Sequence, residues 1–311
     1  MQFLYFLEGL RTPLLDGFFS AITYLGSEML FIVIAVVVYW CFSKRWGLYM
    51  LLVGFFGTVL NQTLKLLCKV PRPWVRDPNF TIVESARADA GGYSFPSGHT
   101  ASIVSTLGSA ARINKKVWVR VVSLVLIALT ALSRMYLGVH TPADVLFSLA
   151  AGAVLIFVLY PLFADDRHQR GANIAVALVP IVTFLNVLFV EIYPWSPDMD
   201  PENLAEGIKN AYSLFGCGVG LAIALPLEKK FVNFDVHAPL WGQVLKIVLG
   251  CGLLLGIRGV LKPLFAVLFG GGHVADSVRY GIIVVFAVYV WPQTFRWFAA
   301  GCPLKKQAKA Q

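Results

Sequence analysis

Apolar runs, most of them about 17 to 25 residues and so long enough to cross a hydrocarbon core of roughly 30 Å, recur from one end of this chain to the other. Hydropathy places nine of them, near residues 28–42, 46–68, 97–113, 117–136, 142–163, 172–191, 207–226, 243–262 and 278–297. Residues 2–25 carry Glu8, Arg11, Pro13 and Asp16 among apolar neighbours, which fits an interfacial or re-entrant segment over residues 1–27 better than a full crossing. The expected fold is therefore all-α, a polytopic membrane bundle of about nine transmembrane helices. Composition agrees, since 58% of the 311 residues are hydrophobic and 14% charged. The opening residues lack the basic start and small-residue cleavage site of a signal peptide.

A net charge of +9 raises the question of nucleic acid. The basic residues instead form short clusters between apolar runs, with no basic face or nucleic-acid motif, so no nucleic-acid partner is expected. They fall in alternate connections: Lys44 and Arg45; Arg112, Lys115 and Lys116; Arg167 and Arg170; Lys229 and Lys230; Lys305, Lys306 and Lys309. The positive-inside rule makes these connections and the C-terminus cytoplasmic, and the connections at 69–96, 137–141, 192–206 and 263–277 extracytoplasmic or lumenal. The five cysteines lie in or beside apolar runs without metal-ligand spacing.

The connection at 69–96 breaks the topology rule, because Lys69, Arg72, Arg76 and Arg87 put basic charge on the outer side. Three motifs meet there. KLLCKVPRP supplies Lys65 and Arg72, a mobile ammonium and a planar bidentate donor suited to a multiply charged anion; the same residues also suit basic side chains snorkelling at a helix end. FPSGHTAS offers Ser97 as an N-cap and Gly98 and His99 at a helix start, where N–H groups and the macrodipole favour an anion. A capped start with an interfacial histidine reads the same way. SRMYLGVHTPAD supplies Ser133, Arg134, His140 and Asp144, with Thr141 as N-cap and Pro142 at N1. Asp144 can hold one ring nitrogen of His140 while the other faces a substrate, and can also complete a capping box with Thr141. Taken together, three segments bring two histidines, three cations, a helix start and a carboxylate to one face, a site for a phosphate-like dianion.

These motifs, KxxxxxxRP, PSGH and SRxxxxxHxxxD in that order, resemble the three-part signature of the type 2 phosphatidic acid phosphatase (PAP2) superfamily, and each signature position is present. The resemblance covers roughly residues 28–163. It implies a helical core shared with soluble acid phosphatases and vanadium haloperoxidases, and catalysis through a phosphohistidine without metal or other cofactor. Carried over residue by residue, it makes His140 the nucleophile, Asp144 its orienting partner and His99 the general acid. Lys65, Arg72, Ser97, Gly98 and Arg134 would hold the phosphoryl oxygens. The implied substrate is a lipid phosphomonoester or diphosphate, with undecaprenyl diphosphate, phosphatidate, phosphatidylglycerophosphate and sphingoid phosphates as candidates. The same site would serve a lipid phosphotransferase, and a transporter of anionic lipids could use its cations alone, although that leaves the His140–Asp144 pairing without a purpose. The expected organisation is an N-terminal segment at 1–27, a PAP2-like core at 28–163, and additional helices with a basic tail at 164–311. In the last part, Gly216 and Gly220, and Gly252 and Gly256, have the small-xxx-small spacing of helix interfaces. Arg258 and Lys262, near the glycines at 270–272, read as snorkelling or as an extension of the headgroup site.

Overall fold

The computed structural model describes residues 1–165, 169–270 and 272–299. Arg167, Gly271, Cys302 and the basic tail at Lys305, Lys306 and Lys309 lie outside the described residues. Within them the chain is helical. The N-terminal segment forms α1 (Gln2–Gly9) and α2 (Pro13–Thr23), the latter capped by Thr12 and started by Pro13, followed by α3 (Glu28–Val37). Then come α4 (Lys44–Cys68), the short α5 (Pro73–Arg76), α6 (Gly98–Ile103), α7 (Ser109–Ile113), α8 (Val117–Tyr136) and α9 (Pro142–Ala164). The remaining helices are α10 (Gln169–Ile192), α11 (Pro201–Leu227), α12 (Leu240–Phe269), α13 (His273–Val285) and α14 (Phe295–Phe298).

Seven of the nine expected spans are helices long and apolar enough to cross a membrane, and an eighth arises only if a bent pair counts as one span. That pair joins Pro13–Gly26 to Glu28–Phe42 across a 49° bend, so the run expected at 28–42 is the second arm of a broken helix begun in the N-terminal segment. The run expected at 97–113 is not one of these long helices. It is built of α6, a π turn over Val104–Gly108 and α7, pieces of 6, 5 and 5 residues. At 1.5 Å per residue this rises only about 24 Å, less than a hydrocarbon core of about 30 Å.

A single large core runs through the bundle, from Phe31, Trp40 and Tyr49 through Ile103, Ile127 and Ile156 to Leu221, Trp291 and Phe295. Outward-facing apolar residues such as Leu124 on α8 and Val154, Phe157 and Val158 on α9 are well exposed, as lipid-facing residues should be. The helices close on one another through small residues. A β-carbon on Gly216 would stand 1.9 Å from the carbonyl oxygen of Ser277, and one on Gly220 2.7 Å from that of Gly281, so α11 and α13 meet through the expected small-residue face. Gly252 and Gly256 on α12 instead face open space. That helix docks through Gly242, Lys246 and Gly250, one stripe at fourfold spacing, with Gly250 against Trp40 and Trp291. Arg258 and Lys262 on the same helix are exposed.

The end where α4, α8 and α11 begin or end opposite the three motifs is tied by polar contacts. Lys44 Nζ pairs with Glu228 Oε1 at 3.0 Å, and Arg45 donates to the Phe163 and Ala164 carbonyls at 2.6 and 3.1 Å. The motifs gather at the other end, where α4 finishes, α6 and α9 start and α11 starts.

Candidate active site

The long connection between α4 and α6 is held in place by the chain it must position. Ser94 N donates to the Val70 carbonyl at 2.8 Å, and Val83 N to the Leu137 carbonyl at 3.1 Å. The turn after α8 depends on Gly138, at φ +83°, where a β-carbon would stand 2.8 Å from Arg11 Nη2 and 3.0 Å from the Thr81 carbonyl. Arg72, only 5% exposed, is the hub of this framework. Its Nε donates to the Gly92 carbonyl at 3.0 Å, Nη2 to that of Gly91 at 2.6 Å and Nη1 to that of Val139 at 2.9 Å. Nη1 also lies 3.0 Å from His140 Nε2. A guanidinium can only donate, so Nε2 accepts and the ring proton sits on Nδ1.

That Nδ1 lies 3.5 Å from Asp144 Oδ2, close but without hydrogen-bond geometry. The Asp144 carboxylate is instead engaged by its own helix start. Thr141 N donates to Oδ2 at 2.7 Å and Asp144 N to Thr141 Oγ1 at 3.4 Å, a capping box at the head of α9. Ser94, which no motif singled out, donates its hydroxyl to the same Oδ2 at 2.6 Å. His140 is 2% exposed and Asp144 1%. Burial, and then the positive field of Arg72, Arg134, Lys65 and His99, hold the His140 imidazole well below its ordinary range, so it is neutral.

A cavity of about 270 Å³ opens onto this cluster, lined by Lys65, Arg72, Gly98, His99 and His140, with Asn61 and Gln62 from α4. Gly98 leaves its side open, since a β-carbon there would meet nothing within 4 Å. A narrower apolar crevice of about 20 Å³ shares Asn61 and Ala101 with it and runs between Gly57, Phe147 and Leu155. Ser97, Arg134 and Asp144 do not line the cavity. The Ser97 hydroxyl is the N-cap of α6, accepting from Thr100 N at 3.4 Å and Thr100 Oγ1 at 2.9 Å, and its backbone N–H donates to the Asp144 carbonyl at 3.2 Å. Arg134 is fully buried. Its Nη1 donates to Thr23 Oγ1 at 2.6 Å, while Nε and Nη2 have no partner. Its carbonyl receives the N–H groups of Val139 and His140, at 3.1 and 3.2 Å.

Sequence reading missed four contributors. Thr23 holds Arg134 from α2, and Gly26 lets the chain pass so close that its β-carbon would stand 2.6 Å from the His99 carbonyl. Ser94 was hidden by its place outside the PSGH motif, three residues before Ser97. Glu206, in the early turns of α11, lines the cavity. Among the described residues no three His, Cys, Asp or Glu side chains are grouped so as to hold a metal ion.

Comparison with known proteins now adds to this geometry. Residues 44–168 match the model of the PAP2 superfamily, and residues 212–303 match that of the PAP2 superfamily phosphatase transmembrane extension. Phosphatidylglycerophosphatase B of Bacillus subtilis is 31% identical over 52% of this chain and 80% of its own length. Undecaprenyl-diphosphatase BcrC of the same organism is 36% identical over 40% of this chain and 60% of its own. Sphingosine-1-phosphate phosphatase 1 of Rattus norvegicus is 22% identical over 80% of this chain and 61% of its own, so the chain spans less than two thirds of the latter two relatives. No solved structure matches the chain.

Proposed function

The chain belongs to the PAP2 superfamily, and from that premise we propose that it is a multi-pass membrane phosphatase that hydrolyses a lipid phosphomonoester or diphosphate through a phosphohistidine. The observation that carries this reading is His140: buried, neutral, on the cavity wall, with its tautomer fixed by Arg72 at Nε2. In the first step Nε2 attacks phosphorus as the P–O bond to the lipid alkoxide breaks, and His99 gives its proton to the departing oxygen. In the second, water attacks phosphorus, its proton passes to His99, and the P–N bond breaks to release orthophosphate and neutral His140. Asp144, 3.5 Å from Nδ1, offsets the positive charge that the ring carries while phosphorylated.

Lys65, Arg72, Arg134 and the N–H groups at Gly98 and His99 neutralise the equatorial oxygens, which is the main demand of phosphoryl transfer. Arg134 stands behind the cavity lining. A fully buried guanidinium with two unpartnered N–H sites is costly unless an anion joins it. The Ser97 hydroxyl acts by capping α6, which points the N–H groups of that helix start toward the phosphate. The relatives are named for lipid phosphates, and a small apolar crevice between α4 and α9 adjoins the cavity. Residues 1–27 support the site through Thr23 and Gly26, residues 28–163 carry the chemistry, and residues 164–311 form the extension. The basic connections put the site on the extracytoplasmic or lumenal face, with the C-terminus in the cytoplasm. No metal enters the scheme.

Purified protein assayed for orthophosphate release from a panel of lipid phosphates tests the proposal. Release in EDTA, lost in a well-folded His140→Ala variant, is the expected result. Full activity in that variant, or an EDTA loss restored by Mg²⁺, would remove the mechanism.

A further inference from the structure

One wall of the cavity is polar where a membrane-spanning helix is expected to be apolar. Thr58, Asn61, Gln62 and Lys65 line it from α4, at the i, i+3, i+4 and i+7 positions that share one helix face. From α6, which packs against α4, come His99, Ala101 and Ser102. Asn61 and Ala101 also line the apolar crevice together, so Asn61 stands across from the helix turn that carries His99. Asn61 is only 5% exposed, yet its amide has no hydrogen-bond partner among the described residues. Thr63, on another face of the same helix, shows the contrast. Its hydroxyl donates to the Val59 carbonyl at 2.8 Å and to Asn186 Oδ1 on α10 at 2.9 Å. A buried carboxamide left without a partner is destabilising, above all within a membrane span, unless something that enters the cavity bonds to it.

Depth identifies what enters there. Asn61 lies one helical turn, about 6 Å, further into the span than Lys65. A lipid that brings its phosphate to Lys65 has its chain on that deeper side. The ester oxygen that departs, and the water that later takes its in-line place, then lie on the Asn61 side of phosphorus. We propose, on the phosphatase reading above, that Asn61 is a catalytic residue of the second step and selects water over other acceptors. Its Oδ1 accepts one hydrogen of the incoming water while His99 accepts the other. The water oxygen bonds to phosphorus as the P–N bond to His140 breaks; one proton passes to His99, and the other stays on the new phosphate oxygen. An alcohol has a single hydroxyl hydrogen, which His99 takes, and offers none to Asn61. The phosphohistidine is thereby biased toward hydrolysis and away from transfer.

The test is a partition experiment on the full chain in detergent micelles, with hexadecyl phosphate and phosphatidate as donors and ethanol in excess as a competing acceptor. Orthophosphate and ethyl phosphate arise from one intermediate, so their ratio reports the second step and is blind to substrate binding, folding yield and the rate of the first step. Asn61→Leu should raise ethyl phosphate relative to orthophosphate about fivefold, the scale of one hydrogen bond. Without ethanol, the same variant should accumulate more phosphohistidine under an alkaline quench. Asn61→Asp, which keeps an acceptor oxygen in the same place, should hold the ratio near that of the wild type. Should Asn61→Leu fail to fold, Asn61→Ala is read in the same way. A ratio unmoved by removal of the amide, or moved equally in Asn61→Asp, would overturn this inference and leave the phosphatase reading standing. Wild-type protein that releases neither product from either donor would overturn both.

Discussion

At the scale of single residues, the site is a set of side chains each fixed by something other than the substrate. Ser94 is the clearest case, since its hydroxyl donates to the one Asp144 oxygen that also faces His140. Removing it leaves a buried carboxylate short of a donor, and a hydrogen bond to a charged group is worth about 1.5–3 kcal/mol. Ser94→Ala should therefore lower kcat about tenfold or more with little change in KM, as read by steady-state phosphate release. An unchanged kcat would separate Asp144 orientation from catalysis. His140 makes a second prediction. Its imidazole titrates near 6.5 when unfolded and well below that when folded, so below about pH 6.5 the unfolded chain binds the extra proton. Stability is thus full above that pH and falls as pH drops toward the folded value, by up to about 1.4 kcal/mol per unit. Thermal unfolding in detergent between pH 7 and 5 should show this slope. It should be shallower in His140→Gln, and shallower again when inorganic phosphate offsets the surrounding cations; equal slopes would mean His140 is not held neutral.

At the scale of elements, the motifs were legible because each sits at a helix end whose signals are local: Ser97 before α6, and Thr141, Pro142 and Asp144 at the head of α9. What the sequence did not disclose depends on contacts between distant segments. Thr23 is an ordinary threonine until α2 is packed beside α8, 111 residues away in sequence from Arg134. The 97–113 segment is apolar enough to read as a span but is not one long helix, because a π turn joins α6 to α7 in a stretch rich in Ser, Thr and Gly. The α11–α13 interface was legible in its glycine spacing, but the same spacing at Gly252 and Gly256 faces open space. Spacing shows where helices can approach, not whether a partner is there. Gly216→Ala should force α11 and α13 apart, since the added carbon would stand 1.9 Å from a backbone oxygen that cannot yield by a rotamer change. A loss of about 1–3 kcal/mol is expected, seen as a lower unfolding midpoint. A midpoint equal to wild type would mean the interface is looser than described.

At the scale of the whole molecule, the bundle is polarised. Polar ties such as Lys44–Glu228 close one end, and the cavity opens at the other. The proposed orientation in the membrane rests on the basic connections alone, and a native thiol can test it. Cys68, the last residue of α4, is free and exposed at the cavity end. In a variant that keeps Cys68 as its sole cysteine, a membrane-impermeant maleimide should label intact cells. Labelling only after permeabilisation would invert the topology. The number of crossings was the least legible property, because nine apolar runs became seven unambiguous helices and one bent pair. The gathering of the three motifs was the most legible, because they lie at helix ends on one side however the remaining helices are counted.

The contact between Arg72 and His140 Nε2 has a further consequence. At rest the lone pair that would attack phosphorus is occupied by a guanidinium N–H, so the nucleophile is capped by the same group that would grip the substrate. Under the proposed mechanism a phosphate would draw that N–H to itself and bare the nitrogen, so that recognition of the ligand and release of the nucleophile would share one hydrogen bond.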